Sequence, residues 1–480
     1  MGAREKCGVV GAFSTKDVDV VPKLLKGLEA LQHRGQESWG IAVPGKPVFK
    51  RMGLAFNWVN YAQEMTGYKG AAGIGHVRYS TKGRSNLDNA QPVQIGSEFS
   101  IAHNGTIVNA EQLAKAVSLD YKTRCGTDTK AAGYRLLQIL KQENDWFWAF
   151  ERLAKELIGA YSFVILNKRG EVFAVRDPRG YRPLCLGYNQ KTRTYVAASE
   201  SCALDAVDAE FVRDIEPGEM VRLGGPKRGL ESFRFAPRTE SAYCSFEYTY
   251  FAHPSSRVNG VGVYEARKKV GKVLAKKYKM KGNVVIPVPD SARPAALGYS
   301  VESGIPMDEG LMKDRYRRKG SIRSFIQPSQ SGREEVVKRI IPIKEAIDGK
   351  DVIVVDDSVV RGTSSKIIVE SLKRAGAKHV KMVSTFPPIA YPCYMGVDFP
   401  SREELLAHQV ANGDKSIETI GRKVAKAIGV EEFQYNDIDG LAQAIGLPKS
   451  SLCFACINGD YSKLGIRPNF KNNGKEMVKG

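Results

Sequence analysis

Eleven consecutive residues, Val354-Val355-Asp356-Asp357-Ser358-Val359-Val360-Arg361-Gly362-Thr363-Ser364, constrain this chain more than any other stretch. The apolar run Val352 to Val355 reads as a buried parallel strand. It ends in two adjacent carboxylates, then small residues, a glycine and hydroxyls, and a helix begins near Ser364. Backbone N–H groups at such a turn surround a phosphate, and a helix N-terminus favours its charge. The two acids suit ribose hydroxyls, or a Mg²⁺ carried in with a diphosphate. A phosphate cradle and a sugar clamp on one turn point to a phosphorylated ribose.

The alternation of elements around that turn predicts a parallel sheet. Val261 to Lys277 is predicted as a helix, Val284 to Val288 as a strand ending in Pro289-Asp290-Ser291, Ser364 to Arg374 as a helix, and Val380 to Ser384 as a strand. Apolar strands alternating with helices imply a sheet covered on both faces, with ligand at the carboxyl ends of its strands. The first half reads differently, as short strands with two helical stretches. Cys7 to Phe13, Val164 to Leu166, Val172 to Val175, Tyr195 to Ala198 and Met220 to Leu223 are the strands, and Val21 to Gln32 has helical spacing. Gly224-Gly225-Pro226 breaks that pattern, so the boundary is placed between there and Pro237.

A chain of 480 residues is long enough for two such cores. No run of about 18 apolar residues occurs, so no membrane helix is expected, and the polar start Met-Gly-Ala-Arg-Glu-Lys is unlike a signal peptide. The cytoplasm is the default expectation. The net charge of +20 raises the question of nucleic acid. The basic residues are scattered and lack interleaved aromatics, so an anionic small substrate is the simpler use, and no nucleic-acid partner is expected. Eight cysteines, at 7, 125, 185, 202, 244, 393, 453 and 456, do not form a disulfide framework in so long a chain.

With these motifs in view, the chain resembles the glutamine phosphoribosylpyrophosphate amidotransferases from Cys7 to about Asp460. The stretch around Asp356 resembles the phosphoribosyl pyrophosphate (PRPP) loop of type I phosphoribosyltransferases. The resemblance implies a fold of α+β and α/β parts, an N-terminal nucleophile (Ntn) hydrolase αββα sandwich followed by a parallel-sheet phosphoribosyltransferase domain. It implies a propeptide (1–6), a glutaminase domain (7–235) and a phosphoribosyltransferase domain (236–460), and the remaining tail (461–480) is polar and expected to be mobile. Glutamine and PRPP would be the substrates, purine nucleotides the feedback inhibitors, and a homodimer or homotetramer the assembly.

Residue by residue, Cys7-Gly8-Val9-Val10-Gly11 resembles the mature start of the glutaminases, with Cys7 as nucleophile. Its α-amino group, of pKa near about 8, serves as general base once residues 1–6 are removed. Leu31 to Ser38 resembles the family's early helix-to-loop segment. His76 to Thr81 resembles its substrate loop, with Arg78 and Thr81 binding glutamine. Asn104 and Gly105 resemble the oxyanion donors, and Asp128 the partner of the glutamine ammonium. Thr106 and Ile107 depart from the family's Asn-Leu.

On the other side, Asp290 and Ser291 resemble the pyrophosphate loop, with Ala292 where glycine is commoner. Asp356, Asp357, Ser358, Arg361, Gly362, Thr363 and Ser364 would hold PRPP, and Ser291, Asp356 and Asp357 its Mg²⁺. Lys313, Tyr316, Arg323, Phe325 and Ile326 resemble the mobile loop that excludes water. That loop is lengthened here by basic and small residues, Arg317 to Ser321. His253 and Ser255 stand where the family carries Arg then Asp. Cys244, Cys393, Cys453 and Cys456 fall where one branch holds a four-iron–four-sulfur ([4Fe–4S]) cluster, while four thiolates also suit zinc.

Two rivals are weighed against this reading. An Ntn amidotransferase making amino sugars or asparagine has no use for Asp356-Asp357 and Arg361 to Ser364. A nucleotide-binding regulator on a phosphoribosyl fold has no use for Cys7, Arg78 and Asp128.

Overall fold

The computed structural model describes residues 7–79, 85–225, 229–314, 340–399, 401–413, 416–469 and 477–479. Two antiparallel sheets stack face to face in the first half. One has seven strands and the other six. The first strand, Gly8–Ser14, lies between Thr194–Ala198 and Ala72–Arg78 in the larger sheet. Phe99–Ile107 pairs with Gly159–Asn167 in the smaller. Alternation in these strands sends Val9, Ile74, Ala102, Val164 and Ala197 into the layer between the sheets. The outer face of the larger sheet is covered by the helix Val21–Ala30. The outer face of the smaller is covered by Ala110–Ala116, Asp128–Glu143 and Trp146–Glu156. This is the expected αββα sandwich, with more helix than two stretches. The helix Asp128–Glu143 starts from a Thr127 cap, whose Oγ1 accepts a hydrogen bond from the Lys130 N–H. The sheet continues past Gly225, because Leu230–Arg234 pairs with Glu219–Leu223.

The second half is built on four parallel strands in the order Val284–Pro287, Asp351–Asp356, His379–Ser384, Glu432–Tyr435. The first three match the expected strands, and Val263–Lys277 and Thr363–Arg374 the expected helices. Asp351–Asp356 is buried from Val352 onward and sits between two neighbours, which is why Val352 to Val355 are all apolar. Among the described residues no helix is long and apolar enough to cross a membrane.

The start of the C-terminal segment corrects an expectation. Tyr461, Leu464 and Ile466 are buried in a cluster with Tyr181, Ala242 and Met395. The Tyr461 hydroxyl donates to the Pro392 carbonyl at 2.6 Å. Its polar composition reads as mobile in sequence, yet three apolar side chains at short spacing are enough to dock it.

Helices Val263–Lys277 and Arg293–Ser303 touch through glycine. A Cβ on Gly298 would stand 1.9 Å from the Lys268 carbonyl oxygen. Alanine normally gains about 0.5–1 kcal/mol over glycine inside a helix. Here the clash is with backbone, and overpacking of that kind costs about 1–3 kcal/mol. Gly298→Ala is therefore expected to lower the melting temperature, and an unchanged or raised value in a calorimetric scan would show that the helices separate freely.

Candidate active sites

The register of the large sheet places Cys7. Gly8 faces Val77 across an antiparallel pair, so Cys7, one residue earlier, faces Arg78. Both are buried. The Cys7 thiol lies 3.8 Å from the Tyr79 carbonyl oxygen, and the Cys7 carbonyl accepts a hydrogen bond from Arg34 Nε at 3.2 Å. Gly35 lets this loop lie against the strand, since a Cβ there would come within 2.6 Å of the Arg78 nitrogen. Cys7 itself has φ 55°, a left-handed conformation that costs an L-residue roughly 1–2 kcal/mol.

The small sheet supplies the facing side. His76 Nε2 donates to the His103 carbonyl at 3.1 Å, which ties strand Ala72–Arg78 to strand Phe99–Ile107. One residue on, Asn104 is completely buried, and neither its Oδ1 nor its Nδ2 has a hydrogen-bond partner. A buried amide left unmade costs about 1–3 kcal/mol, so this one is free to serve a ligand. Gly105 has φ 143°, and a Cβ on it would stand 2.1 Å from the Ala160 carbonyl oxygen. Asp128 opens its helix beside these residues. Its two oxygens accept from the N–H groups of Ile107 and Thr129, each at 2.9 Å. Burial drives the pKa of His76 down to about 3 and that of His103 down as well, so both imidazoles are neutral at working pH. Thr81 lies outside the described residues.

The second centre sits at the carboxyl end of strand Asp351–Asp356. Asp356 and Asp357 are 8% and 6% exposed. The Ser291 hydroxyl donates to Asp357 Oδ2 at 2.5 Å, the Ser358 hydroxyl to Asp357 Oδ1 at 2.8 Å, and the Asp357 N–H to Asp356 Oδ1 at 2.8 Å. The expected pyrophosphate and ribose segments therefore meet at one carboxylate. Gly362, with φ 77°, caps the helix Thr363–Arg374; a Cβ there would meet Leu406 at 2.5 Å. Arg361 is engaged sideways by Glu404 at 2.8 Å. Lys313 reaches Asp290 at 2.6 Å. Tyr316, Arg323, Phe325 and Ile326 lie outside the described residues.

Cys244, Cys393, Cys453 and Cys456 line one cavity with Arg182 and Phe399. They are brought together because Tyr243–Cys244 pairs in parallel with Leu452–Cys453. Burial raises the thiols of Cys244, Cys453 and Cys456, Cys244 to about 12. Other cysteines of the set add to each shift. The cavity measures about 20 Å³, and among the described residues no three His, Cys, Asp or Glu side chains form a single-ion site.

A buried ion network missed by sequence reading joins the two halves. Arg34 Nη1 pairs with Glu200, and the Arg34 fork holds Glu247 at 2.8 and 3.0 Å. His33 also reaches Glu200, at 2.8 Å. From the second half, the His253 N–H and the Ser256 hydroxyl donate to Glu200 Oε2, each at 2.7 Å. Burial pushes both carboxyls up, but the facing cations more than offset it and hold both below the ordinary range. Nothing local in the sequence marks these partners, which lie far apart along the chain. Segment 251–256, where the family's charge pair is replaced, is thus part of the domain contact.

A glutamine amidotransferase domain model matches residues 76–206. The amidophosphoribosyltransferase of Methanocaldococcus jannaschii is 40% identical, with 95% of this chain and 97% of that one covered. That of Pyrococcus horikoshii is 43% identical, with 95% and 97% covered. The chain belongs to the amidophosphoribosyltransferase family. A solved glutamine PRPP amidotransferase from B. subtilis, complexed with ADP and GMP, superposes with a TM-score of 0.80 at 36% identity, covering 95% of this chain and 97% of that one. The activity is that of a glutamine-dependent pentosyltransferase. Glutamine is hydrolysed and its ammonia is transferred to PRPP, giving 5-phosphoribosylamine, glutamate and diphosphate, the first committed step of purine biosynthesis.

The acid pair sets a pH dependence. Burial raises Asp356, helped by the Asp357 charge, and burial raises Asp357 against its serine hydrogen bonds. A carboxyl raised in the folded state contributes most below its unfolded pKa, near about 4, and loses that contribution as pH climbs through the folded value. Asp356→Asn keeps the Oδ1 acceptor and removes one charge. In chelator at pH 8 it should be more stable than the unsubstituted protein by about 1–2 kcal/mol, and the two should converge near pH 4. Lower stability at pH 8 in thermal melts would mean that the charge itself holds the loop.

Proposed function

We propose that the reaction is divided between two centres, one in each half, with residues 7–235 as glutaminase, 236–460 as phosphoribosyltransferase, 461–480 as tail, and residues 1–6 removed. Cys7 then begins the mature chain. Its thiol attacks the glutamine carboxamide and its α-amino group takes the proton. The positive φ of Cys7 supports this, because removing the preceding peptide unit releases that torsion. Asn104 Nδ2 and the Gly105 N–H receive the oxyanion. Arg78 and Thr81 grip the α-carboxylate, and Asp128, with lone pairs left beyond its two backbone bonds, takes the ammonium.

The observation that carries the second half of the reading is the buried Asp356–Asp357 pair, joined to Ser291 and followed at once by a glycine-capped helix. Asp290 and Ser291 hold the diphosphate, Asp356 and Asp357 the ribose hydroxyls, and Ser358, Arg361, Gly362, Thr363 and Ser364 the 5′-phosphate. Ser291, Asp356 and Asp357 fit Mg²⁺, since two crowded carboxylates with raised pKa values gain from a cation. The ion supplies charge stabilisation to the departing diphosphate. Lys313, Tyr316, Arg323, Phe325 and Ile326 form the covering loop and the dry path for ammonia.

The four thiols fit a [4Fe–4S] cluster. Their shared cavity and their mutual repulsion as thiolates ask for cationic iron, and the wide cubane suits a set that forms no single-ion site. The cluster supplies a cross-link between Cys244 and the C-terminal segment. The protein acts in the cytoplasm as a homodimer or homotetramer. The ADP and GMP on the B. subtilis relative support inhibition by purine nucleotides.

Cys7→Ala tests the division. It should abolish glutamine-dependent synthesis and leave synthesis from free ammonia measurable by diphosphate release. Loss of both activities in a folded variant would count against separate centres. Protein prepared without oxygen should be brown, with iron and sulfide near about four each per chain; stoichiometric zinc in a colourless sample would rule the cluster out.

A further inference from the structure

Arg182 is a buried charge whose donors are left without hydrogen bonds. It is 1% exposed, and none of its three guanidinium nitrogens makes a hydrogen bond. Its Nη2 lies 2.9 Å from Glu247 Oε1, an oxygen that already accepts from Arg34 Nη2. The guanidinium otherwise faces the Phe251 ring, 5.6 Å away. Nearby Arg176 shows how this fold treats a buried arginine that serves structure alone. Arg176 is equally buried, and it donates to the carbonyls of Arg182, Ile215 and Gly180 and to Asn259, all within 2.8–2.9 Å. Buried guanidinium donors are rarely left bare, because desolvation without a partner is expensive.

Arg182 lines the cavity of Cys244, Cys393, Cys453 and Cys456. It lies against the backbone of that site as well, since a Cβ on Gly396 would stand 3.7 Å from Arg182 Cδ. A buried cation that shares one carboxylate with Arg34, has no hydrogen-bonded donor and faces a chamber of four thiols suits an anionic occupant. Four thiolates outweigh the charge of a cubane core, so a ligated [4Fe–4S] cluster is an anion with sulfur acceptors on every face.

We propose that Arg182 is the charge partner of that cluster, donating its N–H groups to cysteine or sulfide sulfur and resisting loss of iron. This rests on reading the four cysteines as cluster ligands. Arg182 is a positioning residue and takes no part in substrate chemistry. Hydrogen bonds to sulfur and a nearby positive charge favour the more negative, reduced cluster, so they raise its reduction potential.

The test compares the full-length protein with Arg182→Met and Arg182→Lys, all prepared without oxygen. Iron and acid-labile sulfide are counted, the midpoint potential is read by EPR-monitored titration, and cluster absorbance is followed in air. The Met variant should have a lower potential and should bleach several-fold faster, with the Lys variant in between because it keeps the charge and loses the planar fork. If the Met variant does not fold, the Lys variant decides the matter by its potential. Unaltered potential and bleaching in iron-loaded variants would overturn the role of Arg182 and leave the cluster reading standing. Absence of iron and sulfide from the unsubstituted protein would overturn both.

Discussion

The two halves of this molecule are locked by one buried ion network, and the geometry at Cys7 depends on it. Arg34 holds the Cys7 carbonyl with Nε while its fork is shared between Glu200 and Glu247. Glu247 belongs to the second half, and Glu200 is gripped in turn by the His253 N–H and the Ser256 hydroxyl. A buried network of this kind contributes little net stability over an apolar replacement, but removing one partner costs about 3–5 kcal/mol because a charge is stranded. Its value is specificity of placement. Cys7, the loop beneath it and the first turn of the second half cannot shift independently.

The same network leads on to the four-cysteine cavity. Glu247 stands between Arg34 and Arg182, and Arg182 faces the thiols. The backbone completes the circuit, because a Cβ on Gly396 would lie 3.2 Å from the Cα of Gly105. A segment three residues past Cys393 thus touches the strand that carries Asn104. Gly396, at φ 111°, brings its loop against the backbone of Gly105, where a Cβ on Gly396 would be crowded. The four-cysteine cavity and the surroundings of Asn104 are therefore in direct backbone contact.

Both phosphoribosyl and cysteine sites follow one electrostatic rule. Each gathers potential anions in a buried place, where their charged forms are costly. Burial and repulsion raise Asp356 and its neighbour, and burial with facing thiols raises Cys244. The glutaminase site follows a different rule. Its imidazoles are neutral and its asset is a polar amide without a partner, suited to an oxyanion that exists only during reaction. Selectivity for charge state is thus built by desolvation in every site.

The strand, acid pair and capped helix around Asp356 were legible in sequence because each depends on neighbours within a dozen residues. An apolar run, a glycine at positive φ and a hydroxyl-rich turn are local events. Cys7, Arg78, Asn104 and Asp128 were legible as motifs, but only strand register and the docking of a helix on the small sheet set Cys7 opposite Arg78 and Asp128 against Ile107 of the strand that carries Asn104. The helices over the small sheet were underestimated, although Trp146–Glu156 buries Ala149, Phe150 and Leu153 at helical spacing. Polar composition was misleading after Tyr461, where three apolar residues sufficed to dock the segment. Arg34 stood in a recognisable segment without its role being visible, and Arg182, Glu200 and Glu247 gave no signal at all. A buried charge looks like any surface charge in sequence, and the partner that makes it tolerable is chosen by the tertiary fold.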